Sequence, residues 1–163
     1  MSIILETGDI LEKTHYNLIV QQVNCQGVMG AGLAKQIVDK YPIVLDQFNK
    51  FNSQVPNYQR LGNILITPIG KKSIVNFFSQ FEYGRDKKIV YTNYYAFKDC
   101  LNKLNEFLYN SKLNLNIAFP YKIGCGLGNG NWDTIFTMIE EFDQKIPFED
   151  SIYICKRVNR WKN

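Results

Sequence analysis

Two glycine-rich stretches constrain this chain more than any other feature of its sequence. Gly124-Cys125-Gly126-Leu127-Gly128-Asn129-Gly130 places four glycines in seven positions, shortly after Pro120 and just before a helix-like run that starts near Trp132. Glycine loses more conformational freedom on folding than any other residue, so such density makes sense where the backbone must take unusual angles. An earlier stretch, Asn24-Cys25-Gln26-Gly27-Val28-Met29-Gly30-Ala31-Gly32-Leu33-Ala34-Lys35, also leaves a strand-like run and enters a helix-like one. Taken alone, either is a tight strand-to-helix connection as readily as a ligand loop. Two in one chain of 163 residues read as two walls of a phosphate-binding trough, with free N–H groups at the helix start facing the anion. Neither matches the lysine-containing pattern of a P-loop, which disfavours an ATPase.

The rest of the chain supplies the scaffold such loops need. Ser2–Leu5 and Asn17–Val23 are short apolar runs of the kind found in buried strands. Residues 31–40 put Leu33, Ala34, Ile37 and Val38 on one helical face, Pro42 interrupts, and a second helix is expected from Ile43 to Phe51. Asn63–Pro68 and Ser73–Phe78 read as paired strands. Residues 93–109 carry Phe97, Leu101, Leu104 and Leu108 at helical spacing. A strand at Leu115–Phe119, a helix from Trp132 to Phe142 and a strand at Ile152–Cys155 complete the order. Alternating strands and helices predict one α/β domain over residues 1–163, a mostly parallel sheet between two helical layers.

Composition narrows the function classes. A net charge of +4 is mild, with the basic residues dispersed, so an anionic small molecule is expected as ligand and nucleic acid is not. The pairs Lys71-Lys72 and Lys87-Lys88 read as solvated loop charge. Cys25, Cys100, Cys125 and Cys155 lack paired spacing and His15 is the single histidine, so no metal site and no cofactor are expected. No basic-then-apolar leader follows Met1 and no run approaches the ~20 apolar residues of a membrane span. The expectation is a cytoplasmic chain with reduced thiols, monomeric and without membrane contact. A third loop, Gly8-Asp9-Ile10, ends the first strand; its carboxylate suits either an exocyclic amine, such as adenine's, or a capping bond.

With these loops in place, the sequence resembles the macrodomain family over essentially its whole length. The carrying segments are Gly8-Asp9-Ile10, Val23-Asn24-Cys25 through Ala34-Lys35, and Pro120 through Trp132. Tyr83-Gly84-Arg85-Asp86 with Thr92-Asn93-Tyr94 is similar to a bacterial, phage and yeast subgroup of ADP-ribose 1''-phosphate phosphatases. The resemblance implies a three-layer α/β/α fold and a ligand that is ADP-ribose or its 1''-phosphate. It implies that Asp9 holds the adenine amine beside Ile10, and that Asn24 meets the distal ribose. It further implies that Gly30, Ala31 and Gly32 line that ribose and its phosphate, and that Gly124, Cys125, Gly126 and Leu127 wrap the diphosphate. Phe81 or Tyr83 is expected to cover the distal sugar, and Cys25 and Cys125 to pack rather than react.

Three activities remain open. The family's branch that strips ADP-ribose from acidic side chains or DNA bases relies on a lysine about where this chain has Gln80, and an amide cannot replace it. The phosphatase branch often carries a histidine where this chain has Gln21. Asn24, Gln21 and Gln80 are therefore the catalytic candidates, as donors or as holders of a water, in a slow phosphatase. A non-catalytic reader or sequestering protein for ADP-ribose or another NAD-derived signal is the second hypothesis. A de-ADP-ribosylating glycohydrolase is the third.

Overall fold

Leu18–Asn24, the strand β2, is buried along nearly its whole length, and the molecule is arranged around it. The structure is a computed structural model that describes residues 3–158. In chain order its elements are β1 (Ile4–Thr7), β2, α1 (Gly32–Lys40), α2 (Ile43–Gln54), β3 (Ile64–Pro68) and β4 (Ser73–Gln80). These are followed by α3 (Tyr94–Ser111), β5 (Asn116–Pro120), α4 (Trp132–Lys145) and β6 (Ser151–Lys156). The sheet runs β1-β6-β5-β2-β4-β3. All neighbours are parallel except β3, which is antiparallel to β4.

Alternation along the strands decides which helices cover which face. Leu18 and Val20 of β2, with Val75 and Phe77 of β4, join the cluster under α3 and α4, where Phe97, Leu101, Leu104, Ile135 and Ile139 are buried. Ile19 and Ile74 face Ile37 and Val44 of α1 and α2, and Val23 and Phe78 pack with Phe48. The mostly parallel α/β/α sandwich expected from the sequence is thus the fold observed. No helix among the described residues is long and apolar enough to cross a membrane.

Two expectations are corrected. The first strand is Ile4–Thr7, displaced from the expected 2–5, and Ser2 lies outside the described residues. It is not a buried strand: among the described residues it lies at the edge of the sheet, paired with β6 alone, and Leu5 is 71% exposed. Lys72 is not solvated loop charge. Its ammonium donates to the carbonyls of Leu11 and Lys13, at 3.3 and 3.1 Å, and burial lowers its pKa. It ties the β3–β4 turn to the loop after β1, whereas Lys71 is exposed as expected.

The topology prepares one place for a ligand. From β2 the chain passes to β3 and β4 on one side, then crosses back through α3 to β5 on the other. Open α/β sheets bind ligands at such a reversal, beyond the carboxyl ends of the strands. β2 pairs with β4 over its whole length but with β5 at Leu18 and Ile19 alone. The carboxyl-terminal halves of β2 and β5 therefore stand unpaired to each other, with a glycine-rich loop rising from each.

Candidate functional site

A cleft of about 850 Å³ opens at that reversal, well sized for a nucleotide ligand. The first loop contributes Asn24 and Val28 to Ala34, the second Pro120 to Gly124 and Gly126 to Gly128, and the end of β4 supplies Gln80. Tyr83, Gly84 and Arg85 form part of the rim. Among the described residues, Arg85 and Lys122 are the charged members of this lining, and no carboxylate or imidazole belongs to it. The cleft is therefore electropositive, and suited to an anion.

The helix ends sharpen this picture. α3 and α4 begin under asparagine caps: Asn93 accepts from the Ala96 N–H and Asn131 from the Thr134 N–H. At α1 the cap position is Ala31, which has no side-chain acceptor, and no side chain among the described residues caps the first turn. The free N–H groups and the positive dipole end of α1 open into the cleft through Ala31, Gly32, Leu33 and Ala34.

The glycines divide into two jobs. A β-carbon on Gly30, Gly32 or Gly126 would meet nothing within 4 Å, so these positions border empty cleft. One on Gly128 would lie 2.5 Å from the Thr92 hydroxyl and 2.7 Å from the Gly124 carbonyl, and one on Gly130 2.7 Å from that same carbonyl. Those two glycines let the second loop fold onto itself. Asn129, at φ 56°, then donates to the carbonyls of Asp86 and Ile89, tying the rim segment to the loop.

Among the candidates, Asn24 is 7% exposed and its amide organises its own loop. It donates to the Val28 carbonyl at 2.6 Å and accepts from the N–H groups of Gln26 and Val28. Gln21 lines the cleft as well; it is buried on the α1/α2 side of β2, donating at 2.7 Å to Asn76 on β4. Gln80 closes β4 at the cleft, where its Nε2 donates to the Glu82 carbonyl at 2.8 Å. Gly30, Ala31, Gly32, Gly124, Gly126, Leu127 and Tyr83 all line the cleft.

Asp9, Ile10, Cys125 and Phe81 do not line it. Asp9 is exposed and accepts the Leu11 N–H at 2.9 Å, closing its own turn, and Ile10 belongs to the core beneath α1. Phe81 packs with Val23, Phe48 and Phe78, so of the two expected to cover the sugar only Tyr83 lines the cleft, where Tyr121 is a second aromatic residue. Cys125 packs against the α3/α4 core, and burial raises its pKa. The buried Cys25 thiol is pushed up to about 11 by desolvation. Neither thiol is a ready nucleophile at neutral pH.

Two residues that organise the cleft escaped the sequence reading. Arg60 donates to the carbonyls of Val55, Cys25 and Asn52, at 2.7–2.8 Å, and so pins the root of the first loop. Gln22 bonds to Ser79, Gln80 and Thr92 at the floor of the cleft. The available signal was a pair of glutamines interrupting the apolar run of a central strand, Leu18-Ile19-Val20-Gln21-Gln22-Val23.

No family model matches the chain. It is 29% identical, over 132 residues covering 78% of its length and 81% of the relative's, to an uncharacterized 17.5 kDa protein from the tk-vs intergenic region of Enterobacteria phage T4. It is 26% identical over 152 residues to a DNA ADP-ribosyl glycohydrolase of Mycobacterium tuberculosis, matching 90% of this chain but 40% of that protein. The chain thus spans about two fifths of the length of the mycobacterial relative. Among solved structures it is similar to the macrodomain of Mycobacterium tuberculosis DarG, with a TM-score of 0.73, 21% identity and coverage of 93% and 98% of the two chains. Thermosipho africanus DarTG in complex with ADP-ribose gives a TM-score of 0.75 at 18% identity, covering 99% of this chain and 43% of that one. What these structures share with this chain is the fold.

Proposed function

We propose that this chain, a macrodomain by fold, binds an ADP-ribose-type nucleotide in the cleft between its two glycine loops and removes the terminal phosphate of ADP-ribose 1''-phosphate. The observation that carries the binding is the uncapped first turn of α1 facing the second glycine loop across a cleft with no carboxylate in its lining. The diphosphate would sit between the two loops, taking N–H donors from both. Gly30, Gly32 and Gly126 leave the room it needs.

For hydrolysis, the cleft offers donors rather than a base. The remaining N–H of Gln80, the Arg85 guanidinium and loop amides can stabilise charge developing on a phosphoryl group. With no carboxylate or imidazole in the lining, proton transfer gains little help, so turnover should be slow. The 26% identity to a DNA ADP-ribosyl glycohydrolase favours a second reading, cleavage of ADP-ribose from a macromolecule. Gln80, where the resemblance places that branch's lysine, weighs against it. The test is incubation with ADP-ribose 1''-phosphate and, separately, with ADP-ribosylated DNA. Phosphate release from the first alone supports the phosphatase. Free ADP-ribose from the second would replace it with the glycohydrolase, and tight binding without release from either would leave a binding protein.

A further inference from the structure

The floor of the cleft holds a chain of hydrogen bonds whose direction can be worked out from its ends. The carbonyls of Gly124 and Glu82 can only accept. Thr92 gives its one hydroxyl hydrogen to the Gly124 carbonyl at 2.6 Å, so towards Gln22 it can only accept. The Gln22 atom facing it, at 2.9 Å, must therefore be Nε2. The second hydrogen of that nitrogen goes to Oε1 of Gln80 at 2.8 Å, and Oε1 of Gln22 accepts from the Ser79 hydroxyl at 2.7 Å. From the opposite end, Nε2 of Gln80 donates to the Glu82 carbonyl at 2.8 Å, which requires the same orientation.

The amide of Gln80 is thus locked: its oxygen is held by Gln22, and one N–H remains uncommitted at the cleft. Arg85 lines the same cleft, is exposed, and forms no ion pair among the described residues. A ribose hydroxyl both donates and accepts, whereas a phosphate oxygen at neutral pH mainly accepts. Locked donors therefore favour the phosphate.

We propose that Gln22 is a specificity-determining positioning residue, which by fixing Gln80 with its N–H towards the cleft makes this end of the site, together with Arg85, prefer a phosphate on the terminal sugar over a free hydroxyl. The inference rests on the reading that the cleft takes an ADP-ribose-type ligand. Gln22 acts through Gln80, so the two should behave as one unit when mutated.

The experiment is a calorimetric double-mutant cycle on the full chain, titrated with ADP-ribose and with a 1''-phosphonate analogue that cannot lose its phosphoryl group. The wild type is expected to prefer the analogue by about tenfold or more, a charge-assisted hydrogen bond's worth. Gln22→Met and Gln80→Met should each reduce that ratio to roughly threefold or less, and the double variant should lose no more than either alone. Thr92→Val, which removes the anchor of Gln22, should do the same and serves if Gln22→Met does not fold. An equal affinity for the two ligands in the wild type, or independent losses that multiply in the double variant, would overturn the role of Gln22 while leaving ADP-ribose binding intact. Failure of the wild type to bind either ligand would remove the underlying reading as well.

Discussion

Single residues separate the parts of the site that make space from those that fill it. Gly126 borders open cleft, and Gly128 touches Thr92 and the Gly124 carbonyl. Gly126→Val should therefore leave the melting temperature of the free protein nearly unchanged and abolish the upward shift expected with ADP-ribose in the wild type. Gly128→Ala should cost about 1–3 kcal/mol of stability, because its methyl group would overlap backbone that cannot retreat. Thermal melts with and without nucleotide distinguish the two, and equal loss of stability in both variants would contradict this division. The thiols illustrate the opposite case. Cys25 and Cys125 stand beside the two glycine loops, yet burial raises both pKa values, so proximity in sequence conferred no reactivity.

At the level of elements, the helices and inner strands were legible because their apolar spacing is dictated by the face they bury. α3 shows this best: Phe97, Leu101, Leu104 and Leu108 are all buried as their spacing required. The edge strand was misplaced because β1 buries little, and its limits follow from its pairing to β6 rather than from its own pattern. The glycine loops were legible as loops. What they hold together was not, since Arg60, Thr92 and Gln22 act across 32 to 70 positions of sequence. Lys72 was misread for the same reason: its carbonyl partners lie 59 and 61 positions away. The helix caps give a test at this scale. Asn131→Ala should destabilise the protein by about 1 kcal/mol in a denaturant titration, through loss of the bond to the Thr134 N–H at the start of α4. An unchanged midpoint would contradict the assigned cap.

Across the whole molecule, buried carboxylates make stability depend on pH in a direction opposite to the usual one. Asp150 accepts the Leu115 N–H at 2.8 Å through one oxygen, while the other is buried without a partner among the described residues. Burial raises its pKa above the unfolded value, as it does for Asp143. A raised acid contributes stability below its unfolded pKa, about 3.9, and that contribution disappears as pH climbs through the folded pKa. Asp150→Asn keeps the acceptor and removes the charge, so the variant should overtake the wild type in melting temperature as pH rises from about 4 towards 7. A variant that melts below the wild type at neutral pH would contradict this reading.

The same global arrangement, a sheet whose strand order reverses beneath two glycine loops, places the cleft where the proposed nucleotide would bind. The most direct measurement is a calorimetric titration of the purified chain with ADP-ribose. One molecule should bind per chain, more weakly as salt is raised, because the cleft draws its ligand with positive charge. Absence of any binding heat, together with an unshifted melting temperature at millimolar nucleotide, would contradict the account.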